Sequence, residues 1–178
     1  MNLPVGMKSV NFEDCKGLTG DITQMNLPVG MQEVDFNGCW DLTGDLAQLH
    51  LPMGVKDLNL SHTKVTGAVD KIVLPEGMLK VDFSWTGLTG ALVTMPLSMK
   101  ELVITGSSVK IDVAAIEWPA NATALVCGLH DVVCRTTDPD ESKEGAETSE
   151  VRIKCDTNQV IGTSAVVART NDHIMTIH

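Results

Sequence analysis

The sequence predicts a stacked solenoid, mainly β, in which each coil gives one short strand to a parallel sheet on a concave side. Three observations predict it. The stretch LPVGMQEVDFNGCWDLTGDLAQLH at 27–50 recurs at 3–26, 51–73 and 74–96, and in shortened form at 97–119. Self-similarity at a period of about 20–29 residues marks coils that stack on their neighbours. Apolar residues fall in columns when the copies are aligned: Met7, Met31, Val55, Met78, Met99; then Val10, Val34, Leu58, Val81, Leu102; then Phe12, Phe36, Leu60, Phe83, Ile104. Turn residues recur too, with Leu-Pro-x-Gly before the strand and Leu-Thr-Gly after it.

Each element of a repeat has a physical reason. In Leu-Pro-x-Gly the proline lacks a donor and the glycine tolerates positive φ, which suits a turn. Val10 and Phe12 are two apart, so in a strand both face inward while Asn11 faces out. Cys15, Cys39, Thr63, Thr86 and Ser107 stand where the chain leaves the strand. A small side chain with a hydrogen-bonding atom satisfies backbone groups buried there between coils. Leu18, Leu42, Val65, Leu88 and Val109 close the inward row, and Leu-Thr-Gly makes the tight bend that follows. No single repeat buries enough to stand alone, so stacking supplies the stability.

Read down the chain, the pattern is L-x-x-L-x-L-x-x-(N/C/T)-x-L across 3–119, which resembles the leucine-rich repeat family. Gly20-Asp21-Ile22 and Gly44-Asp45-Leu46 look like the L-x-G-x-(I/L) element of plant-type and related protist or microbial repeats. The resemblance implies a leucine-rich repeat solenoid, a superhelix of the α/β type that here is mainly β with an irregular convex side. It also implies a partner bound on the concave face.

The repeats organise the chain. Residues 1–119 hold five repeats of 21–24 residues. Residues 120–135 read as a degenerate sixth repeat or cap, since Leu125 and Cys127 lie 23 residues after Leu102 and Ile104. The acidic stretch 136–150 has no large apolar residue and reads as a flexible loop. Residues 151–178 read as terminal strands or a cap: 151–155 alternates as a half-buried strand does, and 173–177 lies one repeat length further on. A complete repeat begins two residues after Met1, with nothing amphipathic before it. The chain is therefore expected to be a fragment, or to self-associate or pack through an uncapped N-terminal edge.

Composition narrows the function. The net charge of −10 argues against binding a phosphate backbone and favours basic partners. No run of 18 apolar residues is present to span a membrane, no signal peptide is visible, and the compartment is left open. Cys15 and Cys39 read as structural thiols in the bend column. Cys127, Cys134 and Cys155 read as free thiols or, for the first two, a disulfide in a cap. With His130 and His173 they lack the close cysteine pairs of a zinc site, so no metal or cofactor is expected. Ser61-His62 has no evident orienting carboxylate or oxyanion hole, Ser61 being read on the strand's exposed side and His62 in the bend. No phosphate-binding glycine loop or metalloprotease motif occurs, and the chain reads as non-enzymatic.

The alternation fixes which side chains face outward on the sheet. One column is Ser9, Glu33, Asp57, Lys80, Glu101; the next is Asn11, Asp35, Asn59, Asp82, Val103; the third is Glu13, Asn37, Ser61, Ser84, Thr105. Parallel pairing sets neighbours about 4.7–4.9 Å apart, so acids crowd a face that holds a single lysine. Glu33, Asp35, Asp57, Asn59, Asp82 and Glu101 are therefore the candidate contacts for a protein or peptide, expected to be basic. Trp40 and Trp85, just past the strands, are candidate anchors at the rim, or in the case of Trp85 a shield over the solenoid edge. The competing expectation is a structural or scaffold subunit of a longer repeat array.

Overall fold

In the computed structural model, which describes residues 3–112 in full and the backbone of four later strands, each coil starts from a proline turn. The amide of Met7 donates to the carbonyl of Pro4, and the same bond recurs at Met31 to Pro28, Val55 to Pro52, Met78 to Pro75 and Met99 to Pro96. The turn delivers a methionine or valine inward and launches a three-residue strand. Three residues suffice because the ladder, not the strand, carries the pairing.

Coil one contributes β1 (Ser9–Asn11) and β2 (Thr19–Asp21); coil two, β3 (Glu33–Asp35) and β4 (Asp41–Asp45); coil three, β5 (Asp57–Asn59) and β6 (Lys64–Ala68). Coil four contributes β7 (Lys80–Asp82), β8 (Gly87–Thr89) and β9 (Ala91–Leu92), and coil five β10 (Glu101–Val103) and β11 (Lys110–Asp112). Single 3-10 turns at Ile22–Gln24, Leu46–Gln48 and Val69–Lys71 are the helical content of the described residues. The molecule is a parallel-strand β-solenoid of about five turns with almost no helix.

β1, β3, β5, β7 and β10 pair in parallel, in that order, with registers Val10–Val34–Leu58–Val81–Leu102. Between this sheet and the return side of each coil runs one continuous core. Met31, Leu42, Leu46, Leu58, Leu60, Met78, Phe83, Leu88, Leu102 and Ile104 are at most 2% exposed. The bend column works by hydrogen bonding. Thr63, Thr86 and Ser107 hydroxyls donate to the carbonyls of Leu60, Phe83 and Ile104 at 2.6–2.7 Å, and the Cys39 thiol donates to Phe12 in the preceding coil at 3.1 Å. Burial pushes the Cys39 thiol's pKa up, so the group stays neutral.

The return side departs from the expectation of irregular segments. β2, β4, β6 and β8 form a second parallel sheet, and β9, β11 and a later strand a third. Leu-Thr-Gly recurs at matching positions, so backbone groups that would otherwise be buried unpaired meet their counterparts one coil away. Gly44 and Gly67 take φ of 127° and 129°, and a β-carbon on Gly67 would stand 2.5 Å from Asp45 Oδ1. That carboxylate caps the 3-10 turn of its own coil by accepting from the Ala47 amide at 3.0 Å. Asp21 does the same for Thr23, whose hydroxyl and amide hold the Asp21 carboxyl pKa down.

Past coil five, in the stretch 120–135 expected as a degenerate sixth repeat or cap, β12 (Ala122–Cys127) and β13 (Asp131–Thr136) form an antiparallel hairpin, and β14 (Ser149–Lys154) returns to pair in parallel with β10. The first sheet thus has eight strands in the order β1-β3-β5-β7-β10-β14-β13-β12, and β15 (Val160–Ile161) joins β11 in the third sheet. Cys134 pairs with Ala124 and Cys127 with Asp131. That offset of three residues sets the two cysteine Cα atoms about 10 Å apart along the strand direction, beyond the roughly 7 Å a disulfide allows. Most of the acidic stretch 136–150, Cys155, His130, His173 and the strand expected at 173–177 lie outside the described residues. Among those described, no helix is long and apolar enough to cross a membrane.

Candidate functional site

The outer face of the first sheet carries the expected columns in register. Ser9, Glu33, Asp57, Lys80 and Glu101 are successive partners, as are Asn11, Asp35, Asn59, Asp82 and Val103. Glu33 and Asp57 are direct neighbours of like charge, an arrangement that costs stability in a sheet. Two open hollows lie on this face. One, of about 200 Å³, is lined by Ser9, Asn11, Glu33, Asp35, Asp57 and Asn59. The other, of about 340 Å³, is lined by Asp35, Asp57, Asn59, Lys80, Asp82 and Glu101. Asp57 lines both, and its Oδ1 is buried without a hydrogen-bond partner among the described residues.

The second column has a structural task that charge counting alone does not reveal. Asn11, Asp35, Asn59 and Asp82 each accept, through Oδ1, the amide two residues on, at 2.8–3.0 Å. These are Asx turns that end the strand, and Asn serves them as well as Asp. The negative charge at Asp35 and Asp82 is therefore surplus to the turn. Ser61, expected on the exposed side, is 4% exposed because its hydroxyl is drawn to Asn59 Oδ1 at 2.6 Å and Asn37 Oδ1 at 2.9 Å.

The strand then bends through one residue in the left-handed region in every coil. Asp14, Gly38, His62, Trp85 and Gly106 take φ between 54° and 73°. Trp40 and Trp85 stand at the rim, 53% and 59% exposed. His62 joins them: its ring lies 5.4 Å from that of Trp40 at 41° and 5.9 Å from that of Trp85 at 7°. Sequence reasoning placed His62 in the bend and missed this stack. The available signal was that His62 and Trp85 occupy the same column one repeat apart.

A wider hollow of about 530 Å³ lies elsewhere, between 70–76 and 94–97. Its charged side chains, Asp70, Lys71 and Glu76, are exposed and of mixed sign, so they set up no directed field. Among the described residues no three His, Cys, Asp or Glu side chains converge to hold a metal ion. The face extends further than the repeats alone indicated. In β14, Arg152 takes the ladder position beside Glu101 and Lys154 the one beside Val103, so the acidic columns end on two basic residues. Comparison with protein-family models and with curated proteins returned no match. The functional reading accordingly rests on the fold and on this face.

Proposed function

We propose that the chain is a non-enzymatic recognition module of the leucine-rich repeat kind that binds a basic protein or peptide along the outer face of the first sheet. One observation carries the reading: Glu33 and Asp57 are direct ladder neighbours on a face that also holds Asp35, Asp82 and Glu101, although the turns at 35 and 82 need no charge. Charge kept at a cost to the fold points to a partner that offsets it. Nucleic acid does not fit, because its phosphates meet carboxylates on this face.

A second reading, a structural segment of a longer array, is favoured by the first coil. Met7, Phe12 and Leu18 are only half-buried and Cys15 is exposed, whereas Met31, Phe36, Leu42 and Cys39 are buried. Calorimetric titration with octalysine tests the first reading. Affinity is expected to fall about tenfold or more between 50 and 300 mM salt, and to weaken in the Asp35→Asn/Asp82→Asn double variant with little change in melting temperature. No binding at low salt, or unchanged affinity in the double variant, would contradict it.

A further inference from the structure

We infer that the Trp40–His62–Trp85 stack is a guanidinium-binding ridge, so that the partner presents arginine rather than lysine beside the acidic columns. This rests on the reading of the outer face as the site for a basic partner, and deepens it.

The backbone supplies the first argument. His62 and Trp85 carry side chains where the bend demands a left-handed φ, at 55° and 54°, and glycine fills the same position at Gly38 and Gly106. Glycine meets that conformation without strain, and Asp14 and His62 are of types that adopt it more readily than most, but a bulky tryptophan does not. Burial does not offset the strain at Trp85, which is 59% exposed. An exposed aromatic held in a strained conformation where the fold accepts glycine points to a ligand.

The stack's geometry supplies the second. The neighbouring coil makes room for the Trp85 indole: a β-carbon on Gly106 would lie 2.7–2.9 Å from three of its ring atoms. His62 lies nearly parallel to Trp85, whereas Trp40 diverges from His62 by 41°, so the three rings form a continuous aromatic row at the rim. Neither indole N–H has a hydrogen-bond acceptor among the described residues, so both remain available to a ligand.

Charge selects the occupant. Asp82 stands three residues before Trp85, and the neutral Asn59 three before His62, so one carboxylate of the column stands close in the chain to the Trp85 end of the ridge. A planar cation suits both features at once. A guanidinium stacks on indole and imidazole faces while its fork of N–H donors reaches a carboxylate. A lysine ammonium answers the charge but cannot stack as a plane.

The test is titration of octa-arginine and octalysine, equal in charge, into three proteins: the wild-type chain, Trp40→Ala and Trp85→Gly. The glycine variant uses the residue already found at this bend, so its melting temperature serves as a fold control. Wild type is expected to favour octa-arginine. Each variant is expected to lose about three- to tenfold of that preference while binding octalysine as before. A preference that persists unchanged in both variants, or equal binding of the two peptides by wild type, overturns the ridge and leaves the acidic-face reading standing. Failure of both peptides to bind wild type overturns both.

Discussion

Asp82 has two tasks that its charge and its shape divide between them. Its Oδ1 accepts the Ser84 amide at 2.8 Å and lies 2.6 Å from the Ser84 hydroxyl, while its charge faces outward. Asp82→Ala is expected to cost about 1 kcal/mol through loss of the turn acceptor, and Asp82→Asn to stay within about 0.5 kcal/mol of wild type. Urea denaturation of both variants reads the difference. At this scale the sequence showed the column but not its cause. Asn and Asp alternate at 11, 35, 59 and 82 because the turn needs only an acceptor oxygen. Reading the acids as charges alone hid that, and hid why Ser61 turns inward. The aromatic stack stayed hidden for a different reason: it depends on bend geometry, which brings residues 40, 62 and 85 together across three coils.

Each coil is built from short strands joined by bends, and the bend glycines are where one coil limits the next. Gly67 has φ of 129°, and a β-carbon there would meet Asp45 Oδ1 at 2.5 Å and the Leu46 amide nitrogen at 3.2 Å. Gly67→Ala is therefore expected to destabilise the chain by about 2 kcal/mol or more, since it strains one backbone and displaces the cap of another. Gly17 has open space around it and no positive φ, and Gly17→Ala is expected to be close to neutral. Thermal unfolding of the pair makes the comparison. The period-2 signal of Val10-x-Phe12 made the first sheet legible. The second sheet was not legible, because Leu-Thr-Gly shows no alternation and its pairing is backbone with backbone across coils.

For the whole molecule, the five stacked coils, the register of their outward columns and a strand near 151–155 could be read from the sequence, and the strand directions over 120–135 could not. Strand-like patterning at 120–135 is the same for a parallel coil and for an antiparallel hairpin, since alternation carries no direction. The hairpin β12–β13 extends the sheet beyond β14, whereas β1 has no further strand beside it among the described residues. Each coil is held in place by its neighbours, so protection should fall toward the end with one neighbour. Amide hydrogen exchange in a verified monomer tests this, because two bonds at equivalent repeat positions and of nearly equal length lie one at the edge and one in the interior. Phe12 N–H donates to Asp35 at 2.8 Å at the edge, and Leu60 N–H to Asp82 at 2.9 Å in the interior. The Phe12 amide is expected to exchange at least about tenfold faster than the Leu60 amide. Equal protection of the two would show that the first coil is as stable without a second neighbour as an interior coil is with one, and would contradict the account.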